Sequence, residues 1–127
     1  MTVALWCILI AIFLPYLCIG IAKAGGGYRL RHNRDPRGFE QTLEGFAKRA
    51  HAAQLNSFEV TPAFAAAVIV AHLAGNAELV TINVLAVLFI TSRLLYIICY
   101  LADWGILRSL VWFVGMGLII SFFFVSI

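Results

Sequence analysis

The fold class predicted is an all-α integral membrane bundle of four helices, and three observations carry it. The 127 residues are 63% hydrophobic and only 12% charged, whereas soluble domains carry about 25% charged residues. The mean hydropathy is +0.98, and a soluble domain this short buries only about two-thirds of its surface, too little to hide so much apolar side chain. Four apolar runs, each near the roughly 20 residues that cross a bilayer core, divide the chain. Together they form one domain spanning residues 1–127.

The first span covers residues 2–24, long enough at about 1.5 Å per residue to cross a core of about 30 Å. It lacks the basic start and small-residue cleavage site of a signal peptide and is read as a retained helix. Pro15 lies inside it and removes one backbone donor. Gly25, Gly26 and Gly27 then stop the helix.

Residues 25–42 are the one long polar segment, with Asp35-Pro36 as a turn signal. The second span covers 43–74, longer than the bilayer needs, so its first turns, carrying Glu44, Lys48 and Arg49, project beyond the lipid. It contains Pro62 and ends at Gly75-Asn76. The third span covers 78–101 and the fourth 107–127, with Trp104 between them at the interface level that aromatic residues prefer. Connections this short make neighbouring helices antiparallel. No internal repeat of the kind common in transporters is visible.

Charge placement gives the orientation. Of nine Lys and Arg, seven fall between Lys23 and Arg49, so that loop belongs on the cytoplasmic face and both termini on the other. The net charge of +3 is therefore a membrane signal with attraction to anionic lipid, and not the footprint of nucleic-acid binding. Cys7, Cys18 and Cys99 sit in apolar runs and read as packing residues. His32, His51 and His72 are too scattered for a metal site. Trp6, Trp112 and the Phe122-Phe123-Phe124 run fit lipid-facing or interfacial packing, and Gly115 and Gly117 fit close helix contact.

The residues that stand out are polar groups inside spans, where a charge costs on the order of 2.5–3.5 kcal/mol. Arg49, Asn56 and Glu59 fall within roughly 80° of one another on the second helix. Arg93, Tyr96 and Tyr100 form a stripe on the third, and Arg108 opens the fourth. Two readings follow. Glu59 pairs with Arg93 while Asn56 acts as interhelical glue, in which case Glu59→Ala strands a buried arginine. Alternatively, the excess positive charge binds an anionic ligand entering from the cytoplasm.

Arg49-Ala50-x-x-Ala53-x-x-Asn56-x-x-Glu59, followed by Pro62 and Phe64, resembles the signature of the MAPEG family, the membrane-associated proteins of eicosanoid and glutathione metabolism. Arg93-x-x-Tyr96-x-x-x-Tyr100 and Arg108-Ser109 extend the resemblance over nearly the whole chain. It implies a homotrimer binding glutathione as co-substrate between subunits on the cytosolic side. By position, Asn56 and Glu59 hold the peptide's backbone and amino group, and Tyr96 and Tyr100 contact it from the third span. Arg49, Arg93 and Ser109 belong to the same implied binding set, with Arg93 the partner of Glu59 or a structural charge. Arg108 stabilises the glutathione thiolate as nucleophile.

The function so implied is glutathione-dependent transferase or peroxidase chemistry on a lipophilic small molecule arriving from the membrane lipids. Two departures stand against it. Ala52 occupies the place where catalytic members commonly carry a second arginine, and Val60 follows the glutamate where an aromatic residue is frequent. Arginines of the loop are the available substitutes for the one missing at position 52. Ala52 favours the alternative, a non-catalytic lipid-binding or accessory subunit of a larger membrane complex. The compact chain and the basic Asp35-Pro36-Arg37 loop point to a bacterial inner membrane.

Overall fold

The computed structural model describes residues 1–127, all helix and connection with no strand. The long helices are α1 (Val3–Gly25), α3 (Gly45–Ala74), α4 (Leu79–Leu101) and α5 (Gly105–Phe124), each long and apolar enough to cross a membrane. Between α1 and α3 lie a short 3-10 helix (Leu30–Arg34) and the six-residue α2 (Pro36–Gln41). The expected polar loop is thus folded. Asp35 starts α2 by accepting the Gly38 N–H at 2.9 Å, with Pro36 at the first helical position, where its missing donor costs nothing.

α1 packs most extensively on α3, α4 on α5, and α3 touches all three other long helices. The α1–α3 seam is lined by small residues: Ala4, Ala11, Ala22, Ala47, Ala50, Ala53, Ala67 and Ala71 are all buried. Such residues let backbones approach closely where lipid removes the usual hydrophobic drive between helices. The seam also answers the defect created by Pro15. Lacking an N–H, Pro15 leaves the Ala11 carbonyl without its helical partner. The Thr61 hydroxyl of α3 lies 3.3 Å from that oxygen, while also 2.7 Å from the Ser57 carbonyl of its own helix. Neither Pro15 nor Pro62 ends its helix.

The main core fills the half of the bundle away from the loop. Phe64 stacks on Phe89 with centroids 4.0 Å apart, and Phe122 meets Phe64 edge-on at 6.0 Å. Phe122 is therefore not lipid-facing as expected; it is fully buried. With Gly115 and Ile119 it forms the one buried stripe of α5. A Cβ on Gly115 meets Ser92 Oγ at 3.4 Å, so this glycine does allow close contact with α4, whereas Gly117 faces open space on this subunit. Polar contacts close this end. Ala4 N–H donates to Asn83 Oδ1 at 3.0 Å, Thr2 Oγ1 lies 2.9 Å from His72 Nε2, and Asn76 donates to the Ser126 carbonyl at 3.1 Å. Gly75, at φ +71, makes the left-handed exit from α3.

The flanks of the bundle are apolar. Phe13, Leu110, Val80 and Phe113 are 58–70% exposed, continuous with many others, an area of apolar surface that water does not tolerate and lipid does.

Candidate functional site at the α3–α4–α5 junction

The reversal between α4 and α5 sets the geometry of the polar end. Asp103 adopts φ +62, its N–H donates to the Tyr100 carbonyl at 3.2 Å, and the Trp104 N–H donates to Cys99 at 2.9 Å. This is the paired 6→1 and 5→2 pattern that satisfies the carbonyls at a helix end, with aspartate in the left-handed position that glycine usually occupies. Because Trp104 then serves as N-cap, α5 begins at Gly105, two residues before the expected start, and Arg108 falls in its first turn beside Tyr100.

Two arginine–tyrosine stacks meet there. The Arg93 guanidinium lies 4.2 Å from the Tyr96 ring centroid, and that of Arg108 lies 4.3 Å from the Tyr100 ring. Tyr96 and Tyr100 touch edge-to-face at 5.6 Å. Spacings of three and four along α4 put all three of its contributing residues on one stripe. Each cation rests on the negative face of a ring rather than on a carboxylate.

Arg93 is 3% exposed, and its Nη2 donates to Asn56 Oδ1 at 2.7 Å. Asn56 Nδ2 in turn points at Glu59 Oε2, 3.4 Å away. That amide orientation is the one that satisfies both neighbours, since a guanidinium only donates and a carboxylate only accepts. The expected ion pair between Glu59 and Arg93 is absent, because Asn56 stands between them. Glu59 is exposed on the flank of the subunit. The one contact within ion-pair distance is between His51 Nδ1 and Glu40 Oε2 at 3.8 Å, away from this junction.

A cleft of about 200 Å³ opens beside the stacks, lined by Asn56, Tyr96, Arg108, Ser109, Trp112 and Phe113. The structure therefore brings together Asn56, Tyr96, Arg108 and Ser109 on one surface, with Tyr100 supporting Arg108 from below. Trp112, which the sequence assigns to lipid-facing or interfacial packing, is half-buried and walls the cleft, packed edge-on against Phe113 at 5.1 Å. Its spacing of four from Arg108 was the available signal.

Arg49 is not in this cleft. Its Nε and Nη2 reach the Leu101 carbonyl at 3.4 and 3.3 Å. That oxygen belongs to the last turn of α4, where carbonyls lack helical partners and a cation is favoured. Arg49 thus ties α3 to the end of α4. Ala52 is half-buried on α3, and Arg31 and Arg34 lie on a separate cleft of the loop.

A family model for the MAPEG family matches residues 3–127, essentially the whole chain. The chain belongs to that family. No curated protein and no solved structure matches it.

Proposed function

We propose that this MAPEG-family membrane protein binds glutathione in the α3–α4–α5 cleft and presents its thiolate to a lipophilic electrophile. The observation that carries the reading is Arg108, a cation with no carboxylate partner that faces a cleft shared with Asn56, Tyr96 and Ser109. A guanidinium beside a thiol favours the thiolate, which is the attacking form. Sulfur then bonds to the electrophilic carbon, and the displaced group or opened ring takes up a proton. With a lipid hydroperoxide, two glutathione molecules supply the electrons and leave as the disulfide. Trp112 and Phe113 give the cleft an apolar wall suited to a substrate arriving from lipid.

Glu59 supports an intersubunit site. A carboxylate on the flank of a span is costly against lipid, and both a neighbouring subunit and the ammonium group of a bound peptide relieve that cost. The reading is a homotrimer, with loop 25–42 on the cytoplasmic face of a bacterial inner membrane and both termini opposite. Ala52 favours the second reading, a lipid-binding or accessory subunit of a larger membrane complex, because one expected carboxylate grip is missing.

The test is the ultraviolet difference spectrum of purified protein titrated with glutathione near neutral pH. A saturable thiolate absorbance, lost in Arg108→Ala, supports the transferase reading. No absorbance and no effect of glutathione on thermal stability moves the weight to the accessory subunit.

A further inference from the structure

The loop between α1 and α3 carries four arginines, Arg29, Arg31, Arg34 and Arg37, all exposed and none paired with a carboxylate. It is not a loose tether. Tyr28, His32 and Phe39 pack together with centroids 4.6–5.7 Å apart. Phe39 also rests on the small core of Ala22, Leu43, Ala47 and Ala50 that closes the ends of α1 and α3. Gly26 permits this docking, because a Cβ there collides with Leu43. The loop therefore lies against the bundle end, where α1 stops and α3 starts.

A cleft of about 340 Å³ opens in this folded loop, with Arg31, His32 and Arg34 on its walls. Asp35 also lines it, with Oδ1 turned to the Gly38 N–H as the cap of α2, so the two arginines outnumber the one carboxylate on its walls. His32 Nδ1 accepts the Arg29 N–H at 2.8 Å, so the neutral ring carries its proton on Nε2 as a further donor. Leu30, between two arginines, is 88% exposed.

We propose that this cleft is a binding site for the phosphate of an anionic phospholipid, with Leu30 inserted among the acyl chains beside it. Guanidinium groups bind phosphate oxygens in pairs, and juxtamembrane cations are drawn to anionic headgroups. A lipid, and not free phosphate, is the occupant because the exposed leucine needs an apolar neighbour and the cleft lies in the loop that joins two membrane-spanning helices. The site is separate from the glutathione cleft and stands whether or not that cleft binds the peptide.

The experiment is native mass spectrometry with thermal melting of the full chain in neutral detergent, titrated with phosphatidylglycerol or phosphatidylcholine. The wild type is expected to retain phosphatidylglycerol selectively and to melt higher with it. Arg31→Gln/Arg34→Gln should weaken that binding by roughly tenfold or more, while its melting without added lipid stays at the wild-type value. Arg37→Gln/Lys48→Gln removes the same charge outside the cleft and should bind nearly as wild type. Equal losses in the two double variants overturn the site in favour of diffuse attraction. Equal retention of both lipids, or full competition by millimolar inorganic phosphate, overturns the lipid assignment.

Discussion

Arg93 Nη2 sits 2.7 Å from Asn56 Oδ1, and this hydrogen bond joins α4 to α3 at the polar end of the bundle. Asn56→Leu should lower stability by about 1.5–3 kcal/mol, the usual range for a hydrogen bond to a charged group, since it leaves a buried guanidinium without that acceptor. Glu59→Gln, on an exposed side chain, should melt close to wild type in detergent. A larger loss in Glu59→Gln than in Asn56→Leu would return the network to an Arg93–Glu59 pair.

Arg108→Lys separates charge from shape. Lysine keeps the positive charge but lacks the planar face that lies over Tyr100. The thiolate absorbance with glutathione should survive in part in Arg108→Lys and vanish in Arg108→Ala, with both proteins melting near wild type. Equal loss in the two variants would assign the role to the stacked geometry alone.

Ala52→Arg addresses the missing grip directly. A charge-assisted hydrogen bond contributes about 1.5–3 kcal/mol, so glutathione affinity by calorimetry should rise about tenfold or more if the cleft takes the peptide's carboxylate there. Unchanged affinity would mean that position 52 does not reach the ligand.

The α4–α5 reversal depends on Asp103 at φ +62. Asp103→Gly should be tolerated, while Asp103→Val should cost about 1–2 kcal/mol, because a β-branched residue resists the left-handed region. The valine variant should also weaken glutathione binding, since the turn sets Arg108 over Tyr100. Binding unchanged at reduced stability would show that the α5 start is held by other contacts.

Four spans and most of the polar stripe were legible because charges in apolar runs are few and helical spacing is simple. What was not legible has physical causes. Asn56 and Glu59 lie nearly one turn apart on the same face, so periodicity alone does not decide which of them a long arginine reaches. Arg49 goes to a backbone carbonyl, which leaves no mark in the sequence. Beyond Ser109, α5 is apolar on nearly every side, so its pattern does not distinguish the stripe of Gly115, Ile119 and Phe122 from the lipid face.

The contact between Thr61 and the carbonyl freed by Pro15 bears on how the chain assembles. A seam made of alanines is nearly self-similar, and α1 sliding one turn along α3 would still find small residues opposite small residues. The hydroxyl of Thr61 stands 3.3 Å from the Ala11 oxygen in the observed alignment, and a slide of one turn, about 5.4 Å, would carry it out of reach. When α1 enters the bilayer before α3 has been made, it carries an oxygen that lipid cannot satisfy. The Thr61 proton, shared with the Ser57 carbonyl, relieves that oxygen only when the two helices are in step, so the proline favours one register of the α1–α3 pair.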